Sequence, residues 1–124
     1  MSVPALNIGG WYDAFLRSTI GSYVTMTKQA KSEVARQNQR LLIGPWPHGW
    51  NRSNQTGDLD FGPEAVIDWD ALHLDWFDVW LKKKKPEKRA PIRLFVMGDN
   101  RWRDEYEWPL ERTEFTPFYF HTDG

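Results

Sequence analysis

The sequence predicts an α/β fold that continues into a β-rich segment, and three patterns in its 124 residues support this. Two short apolar runs, at 3–8 and 41–43, are each closed by glycine, which is typical of buried parallel strands. A pattern with helical spacing lies between the two runs, and a second one follows them. Beyond Leu81 the helical spacing stops, and strand and turn signals replace it.

The first three elements predict a βαβ unit. Apolar residues at 15–24 recur at helical spacing after the first strand, and this helix should end near Ala30. Asp13 follows the strand and is expected to cap the helix. The polar stretch 31–39 is interpreted as a loop that leads into the second strand. Two strands connected through a helix in this way should be parallel, with a right-handed crossover.

A long loop and a second helix follow the βαβ unit. The loop is predicted at 45–63, because this stretch is rich in Gly, Pro, Asn and Asp. Asp68 lies near the N-cap of the helix, and a lysine run with Pro86 ends it. The apolar face of the helix repeats at i, i+3, i+4, i+7, i+8 and i+11, namely Trp69, Leu72, His73, Trp76, Phe77 and Trp80.

A change of character after the second helix predicts two structural units. Strands are expected at 92–97 and at 115–121, with a turn signal directly after the first of them. Prolines bracket the charged segment that precedes these strands, which is typical of a linker. The predicted organisation is an α/β unit at 1–85, a linker at 86–91 and the start of an all-β unit at 92–124.

Composition argues against several classes of function. The formal net charge of -1 and the pI of about 6.3 disfavour a nucleic-acid groove or a polybasic membrane patch. The chain has no cysteine, which excludes disulfides, thiolate zinc sites and cysteine nucleophiles. No apolar run is long enough to span a membrane. Because the N-terminus lacks a signal-peptide pattern, a cytoplasmic location is favoured over a secreted one.

Tryptophan is unusually frequent, with 8 residues. Trp fills hydrophobic cores and also lines interfaces and ligand pockets, and composition leaves both interpretations open. One hypothesis is therefore a non-catalytic module whose Trp-rich surface binds a sugar, a peptide or another subunit.

Two polar side chains follow the ends of the two predicted parallel strands. Asp13 comes after the first strand, at the end of the segment 9–13, and His48 comes after the second, in the segment 44–49. Open parallel sheets bind ligands at the carboxyl ends of their strands, so neighbouring strands would bring these two side chains together. A carboxylate can then hold the tautomer of an imidazole that takes a proton from a nucleophile.

The order of this pair matches the last two members of a catalytic triad. Asp13 precedes His48 by 35 positions with one helix between them, as do the acid and base on the last strands of an α/β-hydrolase sheet. Spacing alone leaves simpler interpretations open. An Asp before a helix is commonly a cap, and a His beside Gly and Pro is commonly a loop residue.

Several stretches of the chain, in order, resemble one family. Residues 3–13 (VPALNIGGWYD) resemble the acid-bearing strand of the cocaine esterase and X-Pro dipeptidyl-peptidase family, and 41–49 (LLIGPWPHG) resemble its histidine loop. The last helix of that family's hydrolase domain is similar to 76–78 (WFD) and 80–82 (WLK). Its C-terminal jelly-roll domain begins with strands similar to 93–105 (RLFVMGDNRWRDE), 107–110 (EWPL) and 116–120 (TPFYF).

This resemblance implies a serine hydrolase that acts by acyl transfer through a serine ester and needs no cofactor. It matches Asp13 to the triad acid and His48 to the triad base. The implied substrates are small esters, amides or X-Pro peptides. The implied fold is the terminal βαβα portion of an α/β-hydrolase sheet, followed by the first strands of a β jelly-roll domain.

The chain departs from the family at the nucleophile. No Gly-x-Ser-x-Gly motif occurs, and none of the serines lies at a strand-to-helix elbow. The nucleophile is therefore expected upstream, in a longer protein of which this chain is the C-terminal part, and the chain alone is expected to be inactive. Strand edges left open in such a piece also predict self-association, for example as a homo-oligomer.

Four residues near the pair have alternative interpretations. Trp11 and Trp46 flank the two catalytic candidates and could shape an acyl pocket, although core packing is the commoner role. Asp58 and Asp60 lie in the long loop near His48 and could contribute to a metal site. A solvated loop is the favoured interpretation of these two carboxylates, and no metal is expected.

Overall fold

The computed structural model describes residues 1–49 and 52–120 of the chain, which form a four-stranded sheet, a two-stranded hairpin and helices. The strands are β1 (Leu6–Tyr12), β2 (Arg40–Pro47), β3 (Gln55–Thr56), β4 (Leu59–Asp60), β5 (Ile92–Val96) and β6 (Arg101–Glu105). The helices are α1 (Leu16–Gln29), α2 (Glu33–Gln37) and α3 (Trp69–Lys82), with a 3-10 turn at Pro63–Ala65.

The main sheet is mixed and has the strand order β1-β2-β5-β6. β1 and β2 are parallel, with Ile8 opposite Leu42, and α1 connects them, which confirms the predicted βαβ unit. β5 is parallel to β2, and β6 is antiparallel to β5. The carboxyl ends of β1 and β2 therefore lie side by side at one edge of the sheet.

Strand β2 is buried on both faces, which explains its continuous apolar run. Leu41 and Ile43 pack with Tyr23 of α1 in one core cluster. Leu42 and Trp46 pack with Trp69 of α3 in another. Since neighbouring residues of a strand point to opposite faces, α1 and α3 cover opposite faces of the sheet.

The predicted end of α1 and the predicted start of α3 agree with the structure. α1 ends at Gln29, next to the predicted limit at Ala30. The side chain of Asp68 accepts a hydrogen bond from the backbone N–H of Ala71 at 2.9 Å, so it is the N-cap of α3 as predicted. Within the described ranges, the helices are all too short or too polar to cross a membrane.

Strand β5 joins the first sheet, although the sequence places it in a second unit at 92–124. It pairs in parallel with β2, and Ile92 and Leu94 are buried in the same core cluster as Leu41 and Ile43. A local strand pattern does not specify its partner, which explains the difference from the expected separation. A domain boundary at 86–91 stays a prediction.

The strand expected at 115–121 does not form in the described part of the chain. Residues 115–120 have no regular structure there, and His121 lies outside the described residues. No described strand pairs with this segment and its phenylalanines are exposed, so its β-forming side chains have nothing to pack against. The jelly-roll domain therefore stays a prediction.

Two stretches predicted to be loops contain short regular elements. The stretch 31–39 contains α2, and the Ser32 hydroxyl oxygen accepts a hydrogen bond from the N–H of Ala35 at 3.1 Å. In the stretch 45–63, β2 continues through Pro47, and β3 and β4 pair as a small antiparallel hairpin. Elements of two to five residues are too short to leave a periodic pattern in the sequence.

Strands β1 and β2 approach each other very closely at Gly10. A Cβ atom on this residue would lie 1.9 Å from the backbone oxygen of Trp46, so a side chain does not fit. A Cβ atom on Gly44 would lie 2.5 Å from the Trp46 ring. The strand pairing becomes irregular between Gly10 and Tyr12, directly before the turn that contains Asp13.

Candidate active site

Asp13 lies in the tight turn that connects β1 to α1. Its N–H donates to the carbonyl oxygen of Gly10, and its own carbonyl oxygen accepts from the N–H of Leu16, both at 3.1 Å. The carboxylate oxygen Oδ1 accepts from the backbone N–H of Phe15 at 2.8 Å. The prediction that Asp13 caps the helix is wrong in detail. The N-cap of α1 is Phe15. The short Asp13 side chain bonds the N–H of Phe15 instead of an N–H inside the helix, so it stabilises the turn that precedes α1.

His48 follows the end of β2 and points its Nδ1 atom at the Asp13 carboxylate. The distances from Nδ1 are 3.1 Å to Oδ1 and 3.2 Å to Oδ2. The Asp13 side chain is 8% exposed, whereas that of His48 is 68% exposed. An ionised carboxylate only accepts hydrogen bonds, so this contact favours the imidazole tautomer with its proton on Nδ1 and a lone pair on Nε2.

Asp13 is held in its ionised form by its neighbours. The N–H of Phe15 is the largest influence that lowers the pKa of Asp13 below the ordinary value of 3.8, and burial opposes it. The hydrogen bond and the charge of His48 lower the pKa further. The turn therefore prepares a negative charge beside the imidazole before any ligand arrives.

Replacing Asp13 with asparagine is expected to weaken the acid dependence of the free energy of unfolding. The folded-state pKa of Asp13 is lowered, so its ionisation stabilises the fold above about pH 5 and this contribution is lost as the pH falls through the folded-state pKa. Urea unfolding at about pH 7 and about pH 3 should show a smaller loss in Asp13→Asn than in the unchanged chain. Equal losses in the two proteins would contradict this.

Phe15 is the residue at this site that the sequence did not single out. Its aromatic ring lies edge-on to the His48 imidazole, with ring centroids 4.9 Å apart and planes at 64°. The sequence shows it only as the first apolar residue of a helical pattern. Its position two residues after Asp13 was the available signal, since an Asp side chain commonly bonds the N–H at that position.

The two tryptophans beside the pair have packing roles. Trp46 is 2% exposed, and its Nε1–H donates to the carbonyl oxygen of Ala65 at 2.9 Å. Trp11 packs against the first core cluster, and its Nε1–H donates to the carbonyl oxygen of Phe95 at 2.7 Å, which ties the end of β1 to β5. These contacts are those of the core-packing interpretation, and a role in an acyl pocket stays a prediction.

Asp60 of the long loop forms hydrogen bonds within that loop. Asp60 accepts hydrogen bonds through Oδ1 from the side-chain amide of Asn54 at 2.6 Å and from the N–H of Gly62 at 2.8 Å. These hydrogen bonds stabilise the β3–β4 hairpin. Over 1–49 and 52–120, no group of three or more His, Asp or Glu residues is arranged to hold a metal ion.

A cavity of about 300 Å³ lies on the other side of the sheet from α1, between α3 and the segment that follows it. Leu6 and Arg40 line it, and these residues begin β1 and β2, so the cavity is at the opposite end of the strands from Asp13 and His48. Trp76 and Trp80 form part of its wall. Because the acid–base pair follows the carboxyl ends of the strands, this cavity belongs to a different region of the molecule.

Comparisons with known proteins place this geometry in context. No family model matches the chain. The chain is 34% identical over 129 aligned positions to cocaine esterase of Rhodococcus sp. (strain MB1 Bresler), in an alignment that covers 100% of the chain and 21% of that protein. It is 26% identical over 110 positions to "Putative serine esterase Mb1866c" of Mycobacterium bovis, with 84% of the chain and 15% of that protein covered.

A solved structure supports the fold. The crystal structure of an aminopeptidase from a marine sediment archaeon, Thaumarchaeota archaeon, matches the whole chain with a TM-score of 0.75 and 22% identity, over 20% of its own length. This match supports the mixed α/β architecture with its mostly parallel sheet.

The named curated relatives place the chain in a family of hydrolases. The chain belongs to the family of cocaine esterase, which confirms the resemblance inferred from its sequence motifs. It spans about a fifth of the length of that curated relative, with 21% covered.

Proposed function

We propose that this chain supplies the acid and the base of a serine hydrolase that cleaves esters or amides. The observation that carries the proposal is the contact between His48 Nδ1 and the Asp13 carboxylate, 3.1 Å long, at the ends of two adjacent parallel strands. Membership of the cocaine esterase family supports it. The nucleophilic serine would be supplied by a part of the protein outside these 124 residues.

The proposed roles follow from the tautomer that the contact favours. Asp13 accepts the Nδ1–H bond, so His48 Nε2 is available to take the proton of a serine hydroxyl as its oxygen attacks the carbonyl carbon. His48 then gives that proton to the leaving alcohol or amine, and water repeats the sequence to release the acid. Asp13 stays ionised throughout and stabilises the imidazolium, which agrees with its lowered pKa.

The proposed substrates are small molecules or short peptides. Esters, amides and X-Pro peptides are all cleaved by the same acid–base chemistry, and the pocket around the acyl group decides between them. The chemistry needs no cofactor. The segment after β6 would lead into a β jelly-roll domain of the longer protein.

A chimera tests the assignment directly. In Rhodococcus cocaine esterase, the segment that aligns with this chain is replaced by the chain itself, and hydrolysis of an aryl ester is followed. The chimera should hydrolyse the ester, while a chimera with Asp13→Ala and His48→Ala should not. The chain alone should also be inactive, because it has no serine on a strand-to-helix elbow.

The same experiment separates the proposal from the non-catalytic alternative. Trp46 and Trp69 are buried in the core, whereas Trp76 and Trp80 border the cavity beside α3, where a ligand could contact them. If the chain were only a binding module, replacing Asp13 and His48 in a folded, active chimera would leave its rate unchanged. That result would contradict the proposed function.

A further inference from the structure

Phe15 contacts both members of the acid–base pair, through different parts of its structure. Its backbone N–H donates to Asp13 Oδ1 at 2.8 Å, and its ring lies 4.9 Å from the His48 ring, centroid to centroid. We propose that Phe15 is a positioning residue that fixes the carboxylate with its backbone and the imidazole plane with its ring. The proposed function gives this role its purpose, although the geometry itself can be measured without any catalysis.

The imidazole needs a second support. The His48 side chain is 68% exposed, and it follows the end of β2, where the strand no longer restrains it. The contacts of Nδ1 with Asp13 restrain one atom of the ring but leave the ring free to rotate about that direction. An edge-on aromatic contact restrains the plane, because aromatic pairs prefer particular mutual orientations. The Phe15 ring is placed to do this.

Neither packing nor helix capping explains an aromatic residue at position 15. Phe15 is 57% exposed, and it belongs to none of the core clusters that the described residues form. It occupies the N-cap of α1 without any side-chain hydrogen bond to the helix, and Ser, Thr, Asp or Asn would stabilise the helix better there. The contact with His48 is what the ring gains at this position.

Substitutions at position 15 can separate the role of the backbone N–H from that of the aromatic ring. Leucine keeps the backbone N–H and most of the apolar bulk but removes the aromatic edge, so Asp13 stays fixed while His48 loses its plane restraint. Tyrosine keeps both contacts. Phe77 of α3 is a control, since it is also a half-exposed phenylalanine and contributes to none of the core clusters among the described residues.

The experiment uses the chain itself and long-range ¹H–¹⁵N spectra of its histidines. These spectra measure the ratio of the Nδ1–H to the Nε2–H tautomer of His48 at about pH 9, where a histidine is neutral. The unchanged chain should be mostly Nδ1–H. In Phe15→Leu the ratio should fall by about 2- to 10-fold, the factor that corresponds to losing one aromatic pair. Phe15→Tyr should restore it, and Phe77→Leu should leave it unchanged.

The possible outcomes either support or overturn the positioning role of Phe15. An unchanged ratio in a folded Phe15→Leu chain would overturn the positioning role, as would an unchanged chain that is mostly Nε2–H. The His73 signals show whether each variant is folded, since His73 Nδ1 contacts the backbone oxygen of Trp69 at 2.6 Å within α3. A loss of ester hydrolysis in the His48→Ala chimera, together with an unchanged ratio in Phe15→Leu, would refute this inference and leave the proposed function in place. An unchanged rate in the His48→Ala chimera, together with a lowered ratio in Phe15→Leu, would refute the proposed function and leave this inference in place.

Discussion

Replacing His48 with alanine in the active chimera should lower kcat for ester hydrolysis by about 10⁴-fold or more, since removal of a triad base costs at least this much elsewhere. The serine hydroxyl would lose the group that takes its proton. KM should change little, because the imidazole acts on the reacting atoms rather than on the remainder of the substrate.

Asp13→Asn should lower kcat by a similar factor, about 10⁴-fold, for a different reason. The asparagine amide can donate a hydrogen bond to His48 Nδ1, which favours the proton on Nε2 and leaves no base facing the serine. The control is His73→Ala, a histidine on α3 whose Nδ1 contacts the backbone oxygen of Trp69. Equal losses of kcat in His73→Ala and His48→Ala would contradict the assignment.

Gly10→Ala should destabilise the chain by about 3 kcal/mol or more, at the upper end of the cost of overpacking. The new Cβ would lie 1.9 Å from the backbone oxygen of Trp46. A backbone atom cannot rotate away as a side chain can, so β1 and β2 must separate. This movement would also pull Asp13 away from His48, because each residue follows one of these strands.

Gly21→Ala is the matched control for this substitution. Gly21 lies inside α1, and a Cβ there would have no described atom within 4 Å beyond its own surroundings in the helix. The change should stabilise the chain by about 0.5–1 kcal/mol, because alanine is a better helix former than glycine. Urea unfolding of both variants measures the difference. A Gly10→Ala chain as stable as the unchanged protein would show that the close approach is wrong.

Short apolar runs and the residues that follow them predicted the parallel strand pair and the contact between Asp13 and His48. The apolar run in β2 indicated burial on both faces, and the core clusters on its two sides agree with that. The positions of Asp13 and His48 after parallel strands predicted that the two side chains meet, and their contact at 3.1 Å agrees with the expected geometry. Spacing alone was a weak signal, although a parallel pair brings two carboxyl ends together. The family motifs around Asp13 and His48 strengthened it.

Features set by tertiary contacts could not be predicted in the same way. Nothing local to Ile92 or Leu94 specifies β2 as the partner of β5. The exposed phenylalanines after β6 have strand-forming character without a described neighbour to pair with. Phe15 resembles any other apolar residue at the start of a helix, and its role depends on a histidine 33 positions later in the chain.

The position of β2 between β1 and β5 has a consequence for how the site would fail on heating. Its amides are protected by strands on both sides, so they should exchange with solvent only in the rarest openings of the fold. β1 pairs with β2 alone among the described strands and should open more often. On heating, Asp13 would therefore separate from His48 before β2 opened. Cooling would restore their contact without complete refolding of the chain.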